Sequence, residues 1–475
     1  MSTRPFVIVG GDAAGLSAAS KCKREEPDRD VIVFEKGNWI SYAHCGLPYF
    51  IGGVVDSLSD LLSLSPTQVR ERGIDLRRNH EVIAVNPAEQ TVTVRCEKTT
   101  FEQPFGNLLI GTGARPVSGP FDLSTLDGVF TVHGIDSAAA IDAYLSDPEA
   151  YDESTLGEGP VDRDQITHNR QFSSPHTAAI VGGGYVGVEM AEALIERGLD
   201  VHLFQRSGHI LPPFGDSIAA VVEPHLRSKG VHVHTDTPVT RLVGDDDDRV
   251  SGVQTASETI DAQLVIVGVG IRPNTDLLSE TEISIGEGSA IRTDEYGRTS
   301  LQNIYAAGDV ATSTHTVTGE ETWVPLGLTA NRAGRAIGTT VAGTETSVGE
   351  IAGTAVLKAF DLECGRTGII DKDDARNHGF DPISATITAG SRSGYYPGNS
   401  ETTVTLVCDQ QTERLLGGAI VGSDRAAVRI NTIATALEAD RTVSDVEQLD
   451  LAYAPPFSPV WDPILVAAKV LNGKL

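Results

Sequence analysis

The sequence predicts an α/β protein with two Rossmann-like dinucleotide-binding domains and a C-terminal α+β domain, on three observations. Two short apolar runs, each closed by a glycine-rich turn and followed by a helical pattern, stand about 170 residues apart. Two further apolar runs end in Gly-x-Gly exits, and the last third of the chain changes to β-rich runs with one long helical stretch. A chain of 475 residues accommodates three domains at about 150 residues each.

The first unit begins with the strand Phe6-Val7-Ile8-Val9, continues through Gly10-Gly11-Asp12-Ala13-Ala14-Gly15, and enters an amphipathic helix from Leu16 to about Glu26. The next strand, Val31-Ile32-Val33-Phe34, ends in Glu35 and Lys36. Such a turn lets backbone amides at a helix N-terminus approach a pyrophosphate, and the acid about twenty residues on binds a ribose hydroxyl. Gly10, Gly11, Ala14, Gly15, Glu35 and Lys36 are therefore expected to bind a dinucleotide. The match is imperfect, because Asp12 stands where the middle glycine belongs.

The second unit is complete. His176-Thr177-Ala178-Ala179-Ile180-Val181 leads into Gly182-Gly183-Gly184-Tyr185-Val186-Gly187, then a helix through Glu189 closed by Gly198, then the strand Val201-His202-Leu203-Phe204. Two units imply two dinucleotides, and a flavin with a nicotinamide is the usual pair. Gln205 and Arg206 replace the expected acid. Arginine pairs with a 2′-phosphate that a carboxylate would repel, so NADPH is expected over NADH, which stays possible. Gly182, Gly184, Tyr185, Gly187, Glu189, Arg206 and Gly270 are the expected contacts.

The exits read as places where the chain leaves one domain for another. Asn107-Leu108-Leu109-Ile110 ends in Gly111-Thr112-Gly113-Ala114-Arg115-Pro116, and Leu264-Val265-Ile266-Val267 ends in Gly268-Val269-Gly270-Ile271-Arg272-Pro273-Asn274. Ile304-Tyr305-Ala306-Ala307-Gly308-Asp309 reads as a buried strand ending in an acid that can accept a hydrogen bond from a ribityl hydroxyl. Thr112, Gly113, Ala114, Gly308 and Asp309 join the expected flavin contacts.

Behind the first unit lies Ser41-Tyr42-Ala43-His44-Cys45-Gly46-Leu47-Pro48-Tyr49, whose cysteine has no second cysteine within twenty residues. If Cys45 is redox-active, its partner sulfur comes from outside the chain. A helix starting there would lower its pKa from about 8.5. Cys22, Cys96, Cys364 and Cys408 lie in helical or strand-like runs and read as packing residues.

Acidic residues number 65 against 37 Lys plus Arg, a formal charge of -28, and only nine bases are lysine. That balance excludes a nucleic-acid role and resembles adaptation to high salt, where screening removes self-repulsion. Five scattered cysteines argue against a disulfide scaffold or zinc site, so no metal is expected, and they point to a reducing compartment. No leader pattern precedes Phe6 and no apolar run approaches the ~20 residues of a membrane span. A cytoplasmic protein without a membrane partner is expected.

In their order, the first glycine-rich turn, the Thr112–Pro116 exit, the second G-x-G-x-x-G and Ala306-Ala307-Gly308-Asp309 resemble the flavin-dependent pyridine nucleotide-disulfide oxidoreductases, from about residue 5 to 463. Cys45-Gly46-Leu47-Pro48-Tyr49 with Ile51-Gly52-Gly53 resembles the single-cysteine branch that holds the coenzyme A-disulfide reductases. The resemblance implies FAD in the first unit, NAD(P)H in the second, a catalytic Cys45, and coenzyme A disulfide or a similar small disulfide as substrate. It also implies a homodimer in which Tyr395, or its neighbour Tyr396, and Tyr453 reach the other protomer's active-site sulfur. Ser17, Lys21 and Arg24, spaced i, i+4, i+7 on one helix face, lie with Ser41, His44, Arg72 and Asn331 where the family contacts coenzyme A. Peroxidases and oxidases of the branch carry a histidine where this chain has Ala13, which favours disulfide reduction. Two alternatives stay open: an NAD(P)H oxidase or peroxidase using a Cys45 sulfenic acid, and a redox-sensing flavoprotein without rapid turnover.

The expected domains are a split FAD-binding domain (1–117 and 273–345), an NAD(P)H-binding domain (118–272) and a dimerisation domain (346–475). The polar, acidic segment 146–177 reads as a surface loop or disordered insert.

Overall fold

The structure is a computed structural model that describes residues 4–149, 151–157 and 159–475. Its first sheet is parallel, in the order Ile304–Ala306, Asn107–Ile110, Phe6–Val9, Val31–Glu35, Asp75–Arg78. Phe6–Val9, with residues 31–34 and 108–110 beside it, is apolar and buried at every position, as suits a sheet covered on both faces, while the edge strand Asp75–Arg78 is mostly polar. One face packs on the antiparallel meander Glu81–Asn86, Thr91–Cys96, Thr99–Pro104 through Val82, Val85, Val92 and Val94. The other carries the helices Ala13–Glu25 and Gly327–Val341. These helices lie close because Gly334 and Gly338 have no side chains; a Cβ there would stand 2.1 Å from the Ala14 carbonyl oxygen and 2.4 Å from that of Ala18. The first domain is thus assembled from two stretches of chain.

The second domain repeats this plan. Its parallel sheet runs Val231–His234, Asp200–Phe204, Thr177–Val181, Leu264–Val267, Val129–Phe130, with the meander Arg241–Gly244, Val250–Gln254, Thr259–Asp261 over one face. The exits Ala114–Pro116 and Ile271–Pro273 pair antiparallel, Arg115 beside Arg272, and form the crossing between the two domains. The C-terminal domain is a five-stranded antiparallel sheet ordered Ala355–Ala359, Leu362–Gly368, Leu415–Gly422, Glu401–Asp409, Pro382–Gly390. The helix Ala426–Glu438 packs on its first half and Pro463–Asn472 on its second.

The described part of 146–177 is folded, which corrects the expectation of a loop or disordered insert. It holds the helix Arg163–Asn169, and Leu156, Val161 and Ile166 are buried in the same core as Trp39. Asn169 Nδ2 donates to the Ala140 carbonyl oxygen at 2.8 Å. At Gly159 a Cβ would sit 1.8 Å from the Trp39 indole, so glycine lets the segment lie flat on that ring. Its few apolar residues fall at irregular spacing and give no periodic signal, while its described acids face solvent.

Candidate active site at Cys45

Several short-range ties place Cys45. Ser41 adopts a left-handed φ of 50°, its N–H donates to the Gly11 carbonyl at 3.1 Å, and its carbonyl accepts from Ser63 N–H at 2.7 Å. Ala43 N–H donates to the Leu61 carbonyl at 2.9 Å. A Cβ on Gly46 would stand 2.4 Å from Leu61 Cδ2, so glycine lets the turn rest on that side chain. Cys45 then lies in the 3-10 turn His44–Gly46, directly before the helix Leu47–Ile51. It is the exposed cysteine; Cys22, Cys364 and Cys408 are buried and Cys96 is half-buried, with none of the five in a disulfide.

The Cys45 thiol is pushed up, first by burial and then by the carboxylates of Glu189 and Asp309. This corrects the expectation of a helix-lowered pKa. The helix has five residues, too few for a strong dipole, and two acids oppose ionisation. Glu189, on the helix Tyr185–Glu196 of the second domain, is itself raised to about 7 by burial. Tyr49 Oη donates to Glu189 Oε1 at 3.5 Å, and burial with that carboxylate raises the phenol to about 12.

His44 is tied at both ring nitrogens. Nδ1 lies 3.0 Å from the His133 carbonyl oxygen and Nε2 lies 2.5 Å from Asp12 Oδ2. Both partners are acceptors, so the arrangement suits an imidazolium donating twice. Burial alone would hold its pKa down, but the hydrogen bond and charge of Asp12 raise it. Both ring nitrogens of His44, which is expected to contact coenzyme A, are thus engaged within the chain. Asp12, His133 and Tyr49 are site residues that sequence reasoning left unassigned; the signal was Asp12 in a glycine position.

The two turns have room for dinucleotides. Gly10 has φ 108° and a Cβ there would stand 2.1 Å from the Gly111 carbonyl oxygen; Gly182, at φ 114°, would meet the Gly268 oxygen at 2.2 Å. At Gly113, Gly184 and Gly270 an added Cβ meets nothing within 4 Å, leaving open cradle where a ligand backbone can approach. Glu35 accepts from Gly11 N–H at 2.8 Å and Gly37 N–H at 2.7 Å. Gln205 Oε1 accepts from Gly183 N–H at 3.1 Å, so Gln205 occupies the place of Glu35, and the exposed Arg206 that of the exposed Lys36. Asp309 is raised by burial, with His44 opposing and Asp12 adding to the shift. Thr112 and the buried Ala114 serve the domain crossing; Thr112 Oγ1 donates to the Asn274 carbonyl at 2.7 Å.

The coenzyme A stripe converges only in part. Ser17 Oγ donates to Asn331 Oδ1 at 2.8 Å and Arg72 Nη1 to Ser20 Oγ at 3.1 Å, which brings Ser17, Asn331 and Arg72 to one helix face. Lys21 pairs with Glu25, so its charge is offset within the helix, while Arg24 is exposed.

The two tyrosine segments come together through a buried arginine. Arg429 Nη2 donates to the Ser391 carbonyl at 2.8 Å and the Phe457 carbonyl at 3.2 Å, and its Nε to Asp462 at 2.9 Å. Tyr395 is 76% exposed and Tyr453 48%, whereas Tyr396 is half-buried, which favours Tyr395 as the projecting phenol.

Residues 4–334 match the family model of the pyridine nucleotide-disulphide oxidoreductases. The chain belongs to that family. Residues 354–463 match the family's dimerisation domain. Relatives include the NAD(P)H coenzyme A polysulfide/persulfide reductase of Pyrococcus horikoshii, 38% identical over 99% of this chain and 98% of the relative. The NADH oxidase of Methanocaldococcus jannaschii is 31% identical over 99% of each chain, and the coenzyme A disulfide reductase of Staphylococcus haemolyticus 30% over 96% of each. The solved structure of an NAD-dependent persulfide reductase from A. fulgidus superposes with a TM-score of 0.90 at 32% identity, covering 99% of this chain and 83% of that one. As a member of the family, the protein is an NAD(P)H-dependent flavoprotein oxidoreductase that uses FAD. No described helix is long and apolar enough to cross a membrane.

Proposed function

We propose that the protein reduces coenzyme A disulfide, or a related low-molecular-weight disulfide or persulfide, with Cys45 as the one protein sulfur in the cycle. The observation that carries this reading is that Cys45 alone is exposed, beside two carboxylates, with every other cysteine packed elsewhere. Relatives named oxidase and disulfide reductase are nearly equally similar, so identity does not choose between them. Two features of the site support disulfide reduction: Ala13 offers no acid–base group for peroxide or oxygen, and both nitrogens of His44 are occupied.

Gly10, Gly11, Ala14, Gly15, Glu35, Gly113 and Asp309 would hold FAD, which supplies two-electron exchange between NAD(P)H and sulfur. The Cys45 thiolate attacks R–S–S–R, forms a Cys45–S–S–R bond and releases RS⁻. An electron pair and a proton then split that mixed disulfide into the Cys45 thiolate and RSH. The balance is NAD(P)H + H⁺ + RSSR giving NAD(P)⁺ and two RSH. The protonation of Glu189 sets how readily Cys45 ionises: a neutral Glu189 removes one of its two repelling charges. In a homodimer, Tyr395 and Tyr453 reach the opposite protomer's site and donate a hydrogen bond to the departing thiolate. Tyr395, Val428, Tyr453, Phe457, Val460 and Trp461 are exposed apolar residues that such a dimer would cover.

The test is Cys45→Ser. It should retain FAD and NAD(P)H oxidation by artificial acceptors while disulfide turnover falls at least about 10³-fold, since the nucleophile is gone. Retained disulfide turnover, or oxygen consumption rivalling it in the native protein, would overturn the reading.

A further inference from the structure

We propose a divalent transition-metal site, of the zinc class, on the open edge of the second parallel sheet, held by Asp200, His202 and His232 and supported by His234. The register produces it. Asp200–Phe204 and Val231–His234 are parallel neighbours in which His202 lies beside His232. Asp200, two residues before His202, and His234, two after His232, point to the same face. The rings stack, with centroids 4.6 Å apart for His202 and His232 and 5.3 Å for His202 and His234.

The polar atoms meet at coordination spacing. His232 Nε2 lies 3.0 Å from Asp200 Oδ1 and His202 Nε2 lies 3.8 Å from Asp200 Oδ2. The donor atoms of all three residues lie within 4.8 Å of one another. Tetrahedral zinc with bonds of about 2.0–2.1 Å separates its ligands by about 3.3 Å, so small side-chain adjustments suffice.

A second contact accommodates the ligating tautomer. His202 Nδ1 lies 3.0 Å from His234 Nε2. With the proton on His202 Nδ1, donated to His234, the Nε2 lone pair of His202 faces the cluster, which is how an outer imidazole orients a metal ligand. Asp200 and His232 are exposed and give the ion a path in. Two imidazoles and a carboxylate leave a fourth position for water, a set that suits zinc, cobalt or nickel rather than magnesium or calcium.

The three ligands lie away from Cys45. Asp200 opens its strand at the end remote from the nucleotide turn, whereas the outer His234 is level with Phe204 and its carbonyl accepts from Gln205 N–H at 2.8 Å. The ion would clamp the edge strand Val231–His234 to its paired neighbour.

The experiment uses FAD-loaded protein carrying Cys45→Ser, so that the exposed thiol cannot compete, stripped with chelator and titrated calorimetrically with Zn²⁺. One ion per chain should bind at micromolar or tighter Kd. His232→Gln and His202→Gln should each weaken it at least about 10-fold and their combination abolish it, while His234→Gln weakens it less. Zinc absorption fine structure should show nitrogen and oxygen neighbours without sulfur. His232 is exposed, and retention of FAD and of NAD(P)H binding by its variant separates loss of the ion from loss of the fold. No binding at 100 μM Zn²⁺, undiminished binding in the double variant, or a sulfur shell would each overturn the proposal.

Discussion

The two glycine-rich turns share a steric skeleton and differ in their charges. At each first glycine a Cβ would strike the carbonyl oxygen of the next strand's exit, at 2.1 and 2.2 Å, and at each last glycine, Gly15 and Gly187, it would strike the first, at 2.0 and 1.9 Å. Between them, the first turn places Asp12 and ties it to His44, where the second has Gly184 with open space around it. Two residues past the last glycine the first helix has Ser17, bonded to Asn331, and the second has Glu189, facing Cys45. The first turn is roofed by the helix Gly327–Val341, while Val269 and Ile271 leave apolar surface exposed near the second. One skeleton thus presents the turn proposed for FAD enclosed by the protein's own groups and the turn proposed for NAD(P)H left open.

The sharpest way to break that contrast is to add the same methyl group to both turns. Gly10→Ala should abolish FAD retention, because strain at a positive φ costs about 1–3 kcal/mol before the clash is counted. Gly182→Ala should keep FAD and raise KM for NAD(P)H at least about 100-fold, since the damage stays in the second domain. The 450 nm absorbance of the purified proteins and steady-state kinetics read the two outcomes. Loss of FAD in both would mean that the domains do not bind their ligands independently.

Glu189 tests the charge that only the second helix carries. Burial raises it from 4.5 to about 7, so folding favours its protonated form. The contribution to stability is fully present below pH 4.5 and is lost as pH rises to about 7. Across that window the native protein should lose up to about 3 kcal/mol relative to Glu189→Gln, seen as denaturation midpoints that coincide at pH 4.5 and diverge by pH 7.5. The variant should also shift the pH profile of disulfide turnover to lower pH, because Cys45 then ionises with one repelling charge fewer. Midpoints that run parallel across the range would remove Glu189 from the site.

Much of this contrast was legible in the sequence. Apolar strands of four residues followed by glycine turns are dictated by local sterics, and both parallel sheets form where those patterns stand. The absence of an acid at Gln205 was equally readable, although its hydrogen bond to Gly183 was not. What stayed hidden depends on distant packing. The electrostatics of Cys45 come from Glu189, 144 positions away in the chain. The Asp12–His44 pair needs the Ser41 backbone turn to bring its partners together, and the staple of Arg429 between the tyrosine segments crosses two loops. The described residues of 146–177 misled because Leu156, Val161 and Ile166 join the core without any periodicity.

Gln205 and Glu35 invite an exchange. Gln205→Glu places a carboxylate at the ribose end of the second turn, as in the first, and should lower the NADPH to NADH ratio of kcat/KM by about 10–100-fold through repulsion of the 2′-phosphate. An unchanged ratio would place nucleotide selection elsewhere.

The smallest expected effect comes from making the first turn resemble the second by Asp12→Gly. His44 then loses the hydrogen bond and charge that raise it. A histidine raised above its unfolded value of about 6.5 contributes stability below that pH and loses it as pH climbs through the folded value. The native protein should therefore exceed the variant in stability near pH 6 and converge with it near pH 9. The pair is partly exposed, with the His44 side chain 43% accessible, so solvent screening keeps the difference under about 1 kcal/mol. The same variant should release FAD more readily at pH 6 than the native protein, because the loop carrying Cys45 loses its side-chain tie to the flavin turn while the Ser41–Gly11 backbone bond remains. Equal FAD retention at pH 6, together with an unchanged melting curve, would show that the backbone bond alone joins the loop to the turn and that Asp12 is a passive replacement for glycine.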